Sequence, residues 1–119
     1  MAKGYLTTHV LDTARGQPAG GMRVTLWRID GANRMKLAQA TTNADGRTDA
    51  PILPQGQCAP GRYELVFEAG AWLDAQNVAG DSPRFLDEIP IRFGIADAEA
   101  HVHVPLLLSA HGYTTYRGS

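Results

Sequence analysis

Three histidines and one arginine carry the reactive side chains of this sequence: His9 in LTTHVLDT, Arg47 in ADGRT, and His101 and His103 in HVHVPLLLS. An imidazole accepts and returns a proton near neutral pH. A guanidinium is a fixed fork of donors, suited to a planar, oxygen-rich group and to charge developing on it. Each residue also has an ordinary reading. A histidine on the outward face of a strand is usually just solvated, and an arginine after a turn is usually surface charge. His101 and His103, at i and i+2 on one strand, have the spacing of a zinc pair, but no third or fourth Cys, His or carboxylate stands near them in sequence. No metal is therefore expected. Cys58 sits alone in QGQCAPG, far from any base, which makes it a poor nucleophile.

The elements that carry these residues read as short strands. Tyr5 to Asp12 alternates, with Leu6, Thr8 and Val10 on one face and Tyr5, Thr7, His9 and Leu11 on the other. From His101, the residues Val102, Val104, Leu106 and Leu108 fall on one face, opposite His101, His103, Pro105 and Leu107. A turn at Ala110, His111 and Gly112 then leads to the Thr- and Tyr-rich run Tyr113 to Tyr116, so the chain is expected to end in a hairpin. His111 in that turn reads as solvated. Arg47 follows directly on Asp45-Gly46, a tight-turn signal.

Between these lie Met22 to Ile29, Met35 to Thr42, Arg62 to Glu68 and Glu88 to Ile95, each strand-like and bounded by Gly- and Pro-containing connections. Pro90 faces outward, which suits an edge strand. Only Ala69 to Val78 breaks the pattern; its alanines and the spacing of Trp72, Leu73 and Gln76 predict one short helix. Six to eight short strands with frequent turns predict an antiparallel β-sandwich.

With 119 residues the chain is expected to form one domain, 1–119, and its 44% hydrophobic and 19% charged content is that of a folded protein. A net charge of −1 gives no basic stripe, which argues against nucleic acid and anionic membrane as partners. A single cysteine points to a reducing compartment. Without an apolar leader or a membrane-length apolar run, a cytoplasmic location is expected.

The last stretch, HVHVPLLLSAHGYTTYRGS, resembles the C-terminal signature of the transthyretin-related 5-hydroxyisourate hydrolases, which end in a similar HVPLLLS, GY and TYRGS run. In that family the site uses a histidine on the first strand, an arginine after the Asp-Gly turn, the histidine before Val-Pro, and the YRGS terminus. The matching positions here are His9, Arg47, His103 and Tyr116 to Ser119, in order and spanning almost the whole chain. Val102 stands where the family often has Tyr, and His111 where an aromatic residue is common; both departures bear on packing more than on chemistry. His101 then reads as a supporting or surface histidine, and Arg117 as a contact to the terminal carboxylate or to a neighbouring subunit, or as surface charge.

The resemblance implies an all-β, transthyretin-like antiparallel sandwich of two four-stranded sheets with one short helix. It implies hydrolysis of 5-hydroxyisourate, the product of urate oxidation, to 2-oxo-4-hydroxy-4-carboxy-5-ureidoimidazoline without metal or cofactor. His9, Arg47, His103 and Ser119 would be catalytic, and His9, Arg47, Tyr116, Arg117, Gly118 and Ser119 would bind the substrate. A homotetramer, a dimer of dimers with sites in its central channel, is the implied assembly. The outward apolar residues Leu11, Trp27 and Leu107 also ask for cover. The alternative is a hormone-type small-ligand carrier of the same fold; those carriers lack the two histidines, the arginine and YRGS as a set. A β-sandwich interaction module would leave the terminal motif without a reason, and fold alone does not choose among these.

Overall fold

The period-two runs form strands because each buries one face and leaves the other to water or to the site. In the computed structural model, which describes residues 2–119, the order is β1 (Tyr5–Asp12), β2 (Gln17–Pro18), β3 (Arg23–Asp30), β4 (Asn33–Thr41) and β5 (Gly61–Glu68), then the helix α1 (Ala69–Ala75). It continues with β6 (Glu88–Ile95), β7 (His101–Ser109) and β8 (Gly112–Thr115). The strands make two four-stranded sheets, ordered β2-β1-β7-β8 and β4-β3-β5-β6. The expected sandwich, with its single short helix after the fifth strand, is what forms.

Between the sheets lie Leu6 and Val10 of β1, Val24 and Leu26 of β3, and Tyr63, Leu65 and Phe67 of β5. Ile89 of β6 and Leu106 and Leu108 of β7 join them, and every one of these side chains is at most 1% exposed. Large apolar side chains buried to this degree contribute about 1.5–3 kcal/mol each. Thr8 is the polar member of this face, and its Oγ1 donates to the Val104 carbonyl at 2.7 Å. The helix seats Trp72 and Leu73 on the sandwich, with Trp72 Nε1 donating to the Gly20 carbonyl at 2.8 Å.

One ladder is not antiparallel. β1 and β7, which stand side by side in the sheet that carries the histidines, run parallel over their whole length, from Tyr5 opposite His101 to Asp12 opposite Leu108. No hairpin joins them, because the chain passes through the other sheet in between, so turn geometry places no constraint on their direction. The remaining strand ladders are antiparallel. The two-residue β2, too short for any periodicity, lies inside a stretch that reads as loop.

Candidate active site

The parallel register of β1 and β7 sets Thr7 directly opposite His103, and His9 opposite Pro105. His9 and His103 therefore stand on one outer sheet face, one strand and two residues apart, which strand spacing makes about 8 Å between their Cα atoms. Both are half-buried. His101 is on the same face one pleat before His103, exposed, with its ring stacked on Tyr5 at 4.1 Å.

Arg47 reaches this face through its turn. The Asn43 side chain accepts from the N–H groups of Asp45 at 2.9 Å and Arg47 at 3.2 Å, closing the turn on itself. Gly46 sits at φ +77°, and a Cβ there would overlap the Val10 carbonyl, so the turn can press against β1 only with glycine. The Val10 N–H donates to the Gly46 carbonyl at 2.8 Å, and His9 forms a bridge with Arg47. The turn also fixes His9 itself: its Nε2 donates to the Asp45 carbonyl at 2.8 Å. Because a carbonyl only accepts, His9 Nε2 carries a proton, and Nδ1 is the nitrogen left for other partners.

The C-terminus arrives from the other side. After β8, whose Thr115 Oγ1 donates to the Pro105 carbonyl at 2.8 Å, the chain returns along β7, and the Gly118 N–H donates to the His103 carbonyl at 2.9 Å. A Cβ on Gly118 would overlap His103 Cδ2, so the glycine lies flat against the imidazole. Tyr116, Arg117 and Ser119 are exposed around it. Among the described residues Arg117 has no ion pair with the terminal carboxylate, leaving the surface reading or a second copy to explain it.

The surroundings of His103 alter its acidity. Burial pushes its pKa below the ordinary imidazole value, and the charges of Arg47, His101 and His9 push it further the same way, against a hydrogen bond from the ring to the Thr7 backbone, which raises it. A neutral imidazole at neutral pH is a competent proton acceptor. Cys58, by contrast, is 1% exposed and burial pushes its thiol up, so it stays a buried, unreactive thiol.

Sequence reasoning passed over Thr7. Its Oγ1 lies 2.7 Å from His103 Nδ1 and 2.6 Å from His101 Nε2. Its position two residues before His9, on the same outward face, was the only available signal, and strands carry outward threonines everywhere. A cavity of about 450 Å³ opens beside the site, between β6 and the returning terminus, lined by Ile91, Phe93, Val102, Val104 and Tyr116 among others. His103 lines it as well, while Arg47 and His101, outside it, are exposed in a single chain.

A sequence model described as the HIUase/Transthyretin family matches residues 6–118. The 5-hydroxyisourate hydrolase of Mesorhizobium japonicum is 55% identical over 98% of this chain and 93% of its own length. Among solved structures, the Klebsiella pneumoniae 5-hydroxyisourate hydrolase superposes with a TM-score of 0.80 at 35% identity, covering 98% of this chain and 94% of that one. A crystal structure of (S)-allantoin synthase superposes with a TM-score of 0.93 at 41% identity over 99% of this chain; the chain spans only 44% of that protein. With nearly its whole length matched at this identity, the chain belongs to the HIUase/Transthyretin family.

Proposed function

We propose that this protein hydrolyses 5-hydroxyisourate to 2-oxo-4-hydroxy-4-carboxy-5-ureidoimidazoline, and that His9, Arg47, His103 and the terminal Tyr116 to Ser119 carry the reaction. The observation that carries the reading is the convergence on one sheet face of a proton-accepting imidazole, a second imidazole and a guanidinium, with the terminus packed on the first. The relatives named as 5-hydroxyisourate hydrolases, at up to 55% identity over nearly the whole chain, support the same substrate.

Opening a cyclic amide needs water aimed at the carbonyl carbon, an acceptor for its proton, and donors for the oxygen that becomes negative. A water held between His9 and His103 loses a proton to one imidazole as its oxygen bonds to the ring carbonyl carbon. The Arg47 guanidinium holds the resulting oxyanion. As the ring C–N bond breaks, the proton passes to the departing nitrogen, and the carbonyl becomes a carboxylic acid that ionises. Tyr116, Arg117, Gly118 and Ser119 border the ring, and Ser119 assists the proton's passage. The chemistry closes with these groups alone.

The acting form is a homotetramer, a dimer of dimers. Supporting it, the site face is open in one chain, β6 and β8 present unpaired edges, and Tyr113 and Tyr116 are 43% and 56% exposed beside them. Leu11 and Leu107, paired in register on the site face, are half-buried and await cover. The test is the ultraviolet decay of freshly generated 5-hydroxyisourate. The substrate decays unaided, so acceleration over the buffer blank is the expected result; decay at the blank rate would overturn the hydrolase and leave a ligand carrier.

A further inference from the structure

We propose that Thr7 is a positioning residue, which holds His103 with its Nε2 bare and turned to the substrate, and that His101 is the far end of the same relay. The inference rests on the hydrolase reading and adds to it two residues that the family motif does not supply.

One hydroxyl stands between two imidazoles, 2.7 Å from His103 Nδ1 and 2.6 Å from His101 Nε2. A hydroxyl has a single proton, so between two neutral rings it accepts from one and donates to the other. Two arrangements exist. In the first, His103 Nδ1–H donates to Thr7 and Thr7 donates to His101 Nε2, which leaves His103 Nε2 bare. In the second, the proton of His103 is on Nε2, and the ring cannot accept one from water there.

Two features favour the first, and a third keeps both rings neutral. The ring nitrogen that faces Thr7 is Nδ1, 2.7 Å from its hydroxyl, and the Thr7 backbone also favours a proton on the ring. His101 is exposed, so water can take the proton of its Nδ1, and its stack on Tyr5 holds Nε2 toward Thr7. The groups whose charge bears on His103 are Arg47, His101 and His9, all of which favour the neutral ring and so the relay between neutral rings. The arrangement is also built into the sheet: the parallel register puts Thr7 straight across from His103, and Gly118 closes the opposite side of the ring. Outer contacts that fix an imidazole's tautomer and direction typically change function by about 10–100-fold.

The test compares Thr7→Val, which keeps the branched shape and removes the hydroxyl, with Thr7→Ser, which keeps the hydroxyl. Nitrogen-proton NMR of histidine-labelled protein reports which nitrogen of His103 carries the proton, and steady-state turnover of 5-hydroxyisourate reports the consequence. The wild type and Thr7→Ser are expected to hold the proton on Nδ1. Thr7→Val is expected to spread it over both nitrogens and to lower kcat about 10–100-fold, with KM nearly unmoved. A wild-type ring protonated on Nε2, or wild-type kcat in Thr7→Val, would overturn the relay while leaving the hydrolase reading in place. If Thr7→Val does not fold, His101→Phe keeps the stack on Tyr5 and removes the acceptor; unchanged kcat there overturns the relay equally. A wild type that does not accelerate substrate decay at all removes both readings.

Discussion

On the outer face of the β4-β3-β5-β6 sheet, the Glu64 carboxylate is 7% exposed between Arg34 at 3.2 Å and Arg92 at 2.7 Å, and Arg34 also lies 4.0 Å over the Trp27 ring. On the outer face of the β2-β1-β7-β8 sheet, His9, Arg47, His101 and His103 have no carboxylate within ion-pairing distance among the described residues. The same alternation built both faces, yet one pairs its charges internally and the other leaves its arginine and imidazoles without a carboxylate partner. The first arrangement holds a sheet together. The second gathers proton-exchanging and donor groups on one face, the arrangement that the proposed hydrolysis would use. Trp27, which the sequence offered as an apolar face in need of a partner, is on the self-sufficient side and is covered by Arg34. Leu11 and Leu107 are on the other.

Substitutions on the two faces should therefore separate activity from stability. Arg47→Ala is expected to lower kcat/KM by roughly 10²–10³, the usual loss for one oxyanion donor, and to leave thermal unfolding nearly unchanged. Wild-type turnover in that variant would remove Arg47 from the mechanism. Gly118→Ala sets a methyl against the His103 ring and should cost about tenfold to a hundredfold in kcat through displacement of that ring. Unaltered kinetics there would mean that the terminus does not hold the ring in place. Glu64→Ala has the opposite character. It leaves two exposed guanidiniums unneutralised and should cost about 1–3 kcal/mol in urea unfolding, discounted for their solvent exposure, with turnover at the wild-type level. A drop in turnover without a loss of stability would put the network in the site.

The smallest effect expected is on pH. Burial and the neighbouring charges hold the His103 pKa of the folded state below the ordinary imidazole value, so the unfolded chain binds that proton more readily. The stability that the neutral ring contributes is present above pH 6.5 and is lost as pH falls toward the folded value. In activity, the acid limb of kcat/KM should lie below the ordinary imidazole range. Arg47→Gln removes a charge that lowers this pKa, so the residual activity should show the limb moved to higher pH. A limb that stays put, or moves lower, would contradict the electrostatic account of His103.

Much of this asymmetry was legible in the residues. The alternation in Tyr5–Asp12 and His101–Ser109 placed His9, His101 and His103 outward, and Asp45-Gly46 announced the turn beneath Arg47. The parallel pairing of β1 and β7 was not legible, since their paired residues stand 96 positions apart with no turn to set direction. The role proposed for Thr7 depends on that pairing and was hidden with it: alternation put Thr7 on the His9 face and Thr8 on the core face, but only the register sets Thr7 opposite His103. The neutralisation of Glu64 was hidden for the same reason, because Arg34, Glu64 and Arg92 come from three different strands.

The most direct test of the account is His103→Ala in the 5-hydroxyisourate decay assay beside Glu64→Ala and the wild type. We expect His103→Ala to fall by about 10²–10⁴ toward the blank while keeping its folded spectrum, and Glu64→Ala to match the wild type at a temperature where it remains folded. Turnover that survives in His103→Ala and fails in folded Glu64→Ala would put the chemistry on the wrong face and overturn the account.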